Sequence, residues 1–501
     1  MINRLTRAVR GALNGWRGNG RRAYAGAKIG RLLEDWIAGQ STADAEIRTS
    51  VRKLRDRSRQ LARDNDFVRQ VIRTMQNNVV GQGIKLQSQI KRGRGRNAGA
   101  MNVELNEQIE SLWKRWQRAE YCHTGGKFSF FDIERLVVSE QIQSGEVLIR
   151  IIKRSFGGSP VPLALEVIES DYLDELYNGR HTNGNEIRMG VERDEWGRPV
   201  AYHLKEFHPG DTQFAGSVTR ESQRYRRIPA EEILHIFIPE RVTQSRGVPM
   251  IASAITRLHQ LGGYEEAEVI AARASAALMG FIESPEGEVP YDDVDGSDRV
   301  SDFEPGVFKY LAPGERVNVP QMNRPGGQFD PFMRAMLRGA AAGMGVSYES
   351  LSRDYSQSNY SSSRLALLDD RDNWKALQKW IIQRFHQRVF ETWLDMAWAS
   401  GALNLPGYEQ NPEPYMAVRW MPRGWSWVDP AKEVRAFKDA VRCGFMTQSD
   451  VLASSGYDLE ELMSQRQREV ELANQLDLAF DTDPDKFAVN GQAQQDDDPL
   501  E

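Results

Sequence analysis

Cysteine is nearly missing: the chain of 501 residues has only Cys122 and Cys443. That excludes a disulfide scaffold and a cysteine-rich zinc site, and it suits a reducing compartment. Histidine is scarce too, at seven scattered residues, so no imidazole cluster suggests a metal centre. No apolar run reaches the roughly 18 residues of a membrane span. The N-terminus lacks the apolar segment of a secretory signal. There is no GxxxxGK[ST] phosphate loop, no HExxH, no GxSxG elbow and no CxxC pair. The expectation is a protein with no catalytic residues, no metal and no cofactor. Cys122–His123 has no third group nearby to make a nucleophile and base. His203 and His235 fall on predicted strands and read as structural or surface residues. Asp292, Asp293, Asp295 and Asp298 lack the glutamate-terminated spacing of a calcium loop and read as a solvated turn.

What is present is unevenly distributed. The net charge of −5 conceals a basic beginning: Arg4, Arg7, Arg10, Arg17, Arg21, Arg22, Lys28 and Arg31 occur with no acid up to residue 33. Residues 1–30 read as a flexible arm, either solvated or laid on nucleic acid or another acidic surface. Residues 477–501 are acidic and poor in large apolar groups. They bury too little to offset ordering and are expected to be disordered.

Between these ends the patterning is that of an α+β protein. From Ala43 to Val80, Ile47, Val51, Leu54, Leu61, Phe67, Val68, Val71, Ile72 and Met75 recur at helical spacing, with arginines on the other face. VVGQGIKLQSQI alternates as a strand would, and KRGRGRNAGA is a basic, glycine-rich loop. Residues 102–120 form an amphipathic helix, and Ser129 with Asp132 opens another. EVLIRIIKR and LALEVIES form a hairpin, EIRMGVER and VAYHLKEF a second, and EEILHIFIP one more strand. Residues 246–283 then read as helix, with Pro249 near its start and Gly262–Gly263 marking a kink or a break into two. Residues 284–328 are acidic and turn-rich, with short strand candidates VFKYLA and RVNVP. A long amphipathic helix follows from about Leu365 to Ala399, striped by Trp374, Leu377, Trp380, Ile381, Phe385, Val389, Phe390 and Trp393. Three short helices over 425–476 read as a small bundle, with starts at Asp429–Pro430, Thr447/Asp450 and Asp458/Glu461.

The most unusual stretch is FDPFMRAMLRGAAAGMGVSYESLSRDYSQSNYSSSR (329–364). Asp330 is placed to cap a helix and Pro331 suits its first position. Ala335, Gly339 and Gly343 recur every four residues as a smooth strip, and Arg334 and Arg338 share another face. After Gly345 the pattern dissolves into a serine-, tyrosine- and asparagine-rich run that reads as a polar loop. The earlier helix is alanine-rich around Ala271 and Ala274. Small-residue helices of this kind suit close packing, within the chain or between copies of it.

The runs RGVPMIASAITRLHQLGGYEEAEVIAARASAALMGFI, LAPGERVNVPQMNRPGGQFDPFMRAMLRGAAAGMGVSYESLSRDYSQSNYSSSRLALLDDRDNWKALQKWII and WSWVDPAKEVRAFKDAVRCGFMTQSDVLASSGYDLEELMSQRQRE resemble the portal proteins of tailed bacteriophages, of the lambda type. The resemblance spans roughly residues 30–475. It implies a ring, a dodecamer of this chain, at one capsid vertex of the virion, assembled in the host cytoplasm. DNA enters the capsid through it, driven by the terminase large subunit, and later leaves past head-completion or connector proteins. The major capsid protein and a scaffold or maturation protease are further implied partners; a membrane is not. On this resemblance the segments become a wing (31–245), a first stem helix (246–283), a clip (284–328) and a second stem helix (329–346). A channel loop (347–364), a long wing helix with its connection (365–424) and a helical crown (425–476) complete the chain.

The loop residues expected against double-stranded DNA are Arg353, Tyr355, Ser356, Ser358, Asn359, Tyr360, Ser361, Ser362, Ser363 and Arg364. Ala335, Gly339, Gly343, Ala271 and Ala274 are expected between subunits. Arg334 and Arg338 are expected to face the channel or, preferably, to pair with acids of the neighbouring subunit. The alternative class is a non-phage assembly protein binding nucleic acid or membrane through its basic arm.

Overall fold

The computed structural model describes residues 39–92, 102–211, 224–276, 281–283, 316–318, 327–357, 359–425, 430–455, 457–476 and 478. The basic arm, most of the glycine-rich loop, VFKYLA, the aspartates at 292–298 and almost all of the acidic tail lie outside them.

The first helical stretch is two helices. α1 (Ala43–Asp64) is capped by Thr42, and α2 (Asp66–Val79) by Asn65, whose Oδ1 accepts from Val68 N at 3.1 Å. Asn65 is a good cap residue and a poor helix former, so the chain breaks there. Val51, Val68, Val71 and Met75 are buried as their spacing predicts. The arginine face is not all solvent: Arg55 is buried among them. β1 is confined to Lys85–Ser88 and pairs antiparallel with β12 (Val418–Met421), a strand the sequence reading did not expect. α3 (Val103–Trp116) precedes the short α4 (Ala119–Cys122) and α5 (Phe130–Gln143), which opens on a Ser129/Asp132 capping box. Burial pushes the Cys122 thiol up to about 12, and His123 Nδ1 accepts from Gly125 and Lys127 N–H. The pair is structural.

Strands β2 to β9 form two antiparallel sheets. β2 (Glu146–Ile152) lies between β3 (Ala164–Ile168) and β9 (Ile233–Phe237). β4 (Gly179–Arg180), β5 (Glu186–Arg188), β6 (Val191–Arg193), β7 (Pro199–Lys205) and β8 (Tyr225–Pro229) make a five-stranded meander. EIRMGVER is thus a hairpin in itself. Met189 and Gly190 both adopt positive φ (47° and 82°), as a two-residue turn matched to strand twist requires.

The two sheets, α1 and the chain entering the next helix meet at one buried carboxylate. Arg246 donates from Nε to both oxygens of Glu146 (2.9 and 3.0 Å), and from Nη1 to the carbonyls of Leu173 and Met189. Arg55 Nη2 (3.1 Å), His235 Nε2 (2.9 Å) and Gly247 N (2.7 Å) also reach Glu146. Asp171 takes Arg55 and Arg59 at the margin. Burial pushes the Glu146 carboxyl up, but Arg246 and His235 outweigh it and hold it below the ordinary carboxylate range. Burial lowers the His235 pKa, so the neutral ring donates. Two glycines make room for this: a Cβ at Gly247 would collide with the carbonyl of Gly145, and one at Gly145 with the backbone of Val248.

α6 starts at Ile255, after turns at 250–254, and continues as one helix through Gly262–Gly263 to Ala276. Residues 281–283, expected as helix, are instead strand β10, paired with β11 (Arg316–Asn318). α7 (Phe329–Met344) and α8 (Tyr348–Ser352) lead to a long helix: α9 (Tyr360–Ile381), a π-helical turn (Ile382–His386) and α10 (Gln387–Ala399). Phe385, Phe390 and Trp393 of its stripe enter the main core with Trp113, Trp116 and Phe130. α11 (Pro430–Arg442), α12 (Gln448–Ser454) and α13 (Leu459–Gln475) match the expected helices, including the Thr447/Asp450 capping box. They do not close a bundle of their own: among their described residues only Ala473 is buried, and Leu462, Met463 and Leu472 are exposed.

Glu146→Gln should destabilise the chain by about 3–5 kcal/mol, because it leaves buried arginines uncompensated. The wild-type contribution is complete above the unfolded carboxyl value of about 4.3. As pH falls below that, the unfolded chain takes up a proton that folded Glu146 refuses, and stability drops. Urea midpoints from pH 6 to pH 3 check both, and the variant should show the shallower acid loss.

Candidate functional site

The stretch 329–364 sits between α6 and the long helix. α7 begins at Phe329 with Gln328 before it and no side-chain cap. Asp330 is therefore not the cap. Its carboxylate turns one helical turn onward to Arg334 Nε, at 2.9 Å. Gly345, in the left-handed region, ends the helix as expected.

The glycine strip faces α6 of the same chain. A Cβ at Gly339 would collide with the Arg257 guanidinium, and one at Gly343 would lie 2.9 Å from Ser253 Oγ. Ser253 Oγ also donates to the Gly343 carbonyl at 2.9 Å. At these two positions the absence of a side chain makes room for Arg257 of α6 and for Ser253 in the turn before it. Ala335 remains exposed and Ala271 half-buried; the side chain of Ala274 lies outside the described residues.

The arginines also find partners in their own chain. Arg334 is shared between Asp330 and Asp354 (3.6 Å), with Ser356 Oγ at 3.4 Å. Arg338 lies over the Tyr348 ring, 5.4 Å from its centroid. Within one chain Arg334 already has acids of its own, Asp330 and Asp354. Asp330, one turn away on the same helix, is the nearer acid.

The polar run is not a structureless loop. Ser347 caps α8, and Arg353 ends it in the left-handed conformation (φ 59°). Asn359 and Ser362 form a reciprocal capping box that starts α9. Tyr360, Ser361, Ser362, Ser363 and Arg364 are therefore the first turns of a helix, which starts five residues before Leu365. Outside the helices the exposed positions are Arg353, Tyr355–Gln357 and Asn359, and in the first turn of α9 Ser361 and Ser362 are exposed as well; Ser358 lies outside the described residues.

Arg353, Arg364, Asp354 and Asp370 are each engaged within the chain. With its amide oxygen turned to Arg353, Gln70 of α2 accepts from Nε (2.6 Å) and Nη2 (2.8 Å). Arg364 reaches Glu433 of α11 at 3.8 Å. Asp354 accepts from the Ser356 N–H (3.0 Å) and the Tyr348 hydroxyl (2.8 Å). The Ser356 bonds lead in holding its carboxyl down, at about 2. Asp370 of α9 accepts from Ser347 N (2.8 Å), from its hydroxyl (2.6 Å) and from Ser350 Oγ. Gln70, Asp370 and Glu433 were missed in the sequence, because each lies far along the chain from its partner. The tyrosine at 348, six residues before Asp354, was the nearest local signal.

The family model described as phage portal protein, lambda family, matches residues 29–378. The chain belongs to the lambda family of phage portal proteins. A probable portal protein of Halomonas phage phiHAP-1 is 31% identical over 466 residues, covering 91% of this chain and 88% of that one. Portal protein B of Escherichia phage lambda is 22% identical over 483 residues, covering 89% and 88%. Among solved structures, a chain from the neck of a native gene transfer agent particle, computed with C12 symmetry, aligns at a TM-score of 0.43. It is 14% identical over 79% of this chain and 92% of that one. The function is that of a portal, which forms the channel at the capsid vertex.

In this portal chain the α6–α7 packing predicts a monomer effect. Gly339→Leu and Gly343→Leu should each cost about 1–3 kcal/mol by overpacking, while Ala335→Leu stays near neutral. Thermal melts of unassembled chain check this. Loss of assembly with unchanged melting would return the strip to a subunit contact.

Proposed function

We propose that this portal chain assembles as a ring of twelve copies and that the segment 347–359 with the first turn of α9 lines its passage. Terminase large subunit docks on the region 284–328 during packaging, and head-completion proteins take its place afterwards. DNA passes inward and later outward without chemistry by the ring itself. Capsid protein surrounds the wing, and assembly takes place in the host cytoplasm.

The observation that carries this reading is that the arginines of the segment are held by groups of their own chain. DNA held by free arginines would be retained through counterion release, with each phosphate contact adding about −0.9 to the slope of log affinity against log salt. Arg334, Arg353 and Arg364 are each engaged by an acid or amide of their own chain. Serine hydroxyls, the Tyr355 side chain and the Gln70-bound Arg353 are the exposed chemistry, and hydroxyl contacts with a passing duplex are weak and exchangeable. Among the described residues no helix is long and apolar enough to cross a membrane.

The double variant Asp330→Asn/Asp354→Asn removes both acids from Arg334. Assembled rings of it should retain short duplex DNA at low salt, with a steeper salt dependence than wild type, and should fill capsids more slowly. Unchanged retention in assembled rings would remove Arg334 and its segment from the passage. Negative-stain images of the same samples should show rings with a central hole.

A further inference from the structure

Asp370 is a carboxylate in the interior with no cation paired to it among the described residues. It lies in the third turn of α9 and is 3% exposed. Burying a charge is costly unless hydrogen bonds replace water. Among the described residues the replacements come from one place, the start of the polar segment: Ser347 N–H, Ser347 hydroxyl and Ser350 hydroxyl. The other end of that segment is fastened to the same helix, eleven residues earlier, by the Asn359/Ser362 box. At about 1.5 Å per residue, the two fastenings stand roughly 12–17 Å apart along the axis of α9. Between them Arg353 is tied to Gln70 of α2, and Asp354 to Arg334 of α7. A polar segment on three helices would ordinarily drift with each of them; two anchors on one helix make it an appendage of that helix.

We infer that Asp370 is a positioning residue: it fixes the segment to α9, so that the turn Tyr355–Gln357 holds its place and moves with α9 as one body. The inference rests on the reading of that turn as channel-lining. Asp370 itself touches no DNA and acts through Ser347 and Ser350.

Amide hydrogen exchange of the full chain, assembled, tests it. Asp370→Ala should speed exchange across Ser347–Gln357 by about tenfold or more, the scale of a lost hydrogen bond to a charged group. The rest of α9 and α10 should be unchanged. Asp370→Asn, which keeps an acceptor oxygen, should restore part of the protection. If Asp370→Ala does not fold, Ser350→Ala removes one bond from the accessible side and should give a smaller rise in the same peptides. Unchanged exchange in these peptides overturns the clamp, as does loosening spread evenly over the whole chain. Nuclease-protected DNA per particle separates the two ideas. Faster local exchange with less packaged DNA supports both. Faster local exchange with normal packaging leaves the clamp standing and overturns the channel-lining reading.

Discussion

The hold of Arg246 on Glu146 is the constraint on which the rest of the chain is arranged. Neither side chain is exposed to solvent. Glu146 begins the central strand of one sheet, and Arg246 sits at the exit of the sheet region just before α6. Through Arg55 the same carboxylate fixes α1, and through His235 the neighbouring strand. Through the carbonyls of Leu173 and Met189, Arg246 orients the five-stranded sheet against the three-stranded one. A hydrophobic contact tolerates sliding; a guanidinium meeting a carboxylate and two carbonyls does not. The angle at which α6 leaves the sheets is therefore set electrostatically. The glycines at 145 and 247 let the two backbones approach closely enough for this to happen.

Much of the framework was legible because it follows local rules. The caps at Ser129 and Thr447, the stripe from Trp374 to Trp393 and the stop at Gly345 each depend on residues within a few positions of one another. What failed depends on distance. Arg55 looked like one of many arginines on a wet helix face; only Glu146, ninety-one residues away, makes it a core residue. β12 was invisible because its partner β1 lies more than three hundred residues upstream. The serine run read as a loop because serine composition dominated, whereas Asn359 and Ser362 at the right spacing already make a helix start. The glycine strip's in-chain neighbours, Arg257 and Ser253, were not legible, since spacing says how closely a face packs and not against what.

The long helix joins the two regimes. Its C-terminal half is core: Phe385 stacks on Phe130 and His386 reaches Glu134 at 2.6 Å. Its N-terminal half is more exposed, apart from buried residues such as Asp370 and Trp374, and carries the polar segment. The π-helical turn lies where the two halves meet. One extra residue per turn there lets Phe385 and His386 both reach the core, where an α-helical step would turn one of them away. The rigid end therefore anchors in aromatic packing, and the working end projects from it.

On the proposed channel-lining reading, the engagement of the segment's arginines within the chain has a physical reason. A surface that must let a polyanion slide cannot be acidic, since repulsion would close the passage, nor freely basic, since attraction would stall it. Omitting charge altogether would leave only serine and tyrosine, which hold no fixed shape. Arginine and aspartate paired within the chain, as at Arg334 with Asp330 and Asp354, supply shape without net field. The same pairing across a subunit boundary would tie that neutrality to the geometry of assembly. Kept in one chain, it survives any movement of one copy against the next.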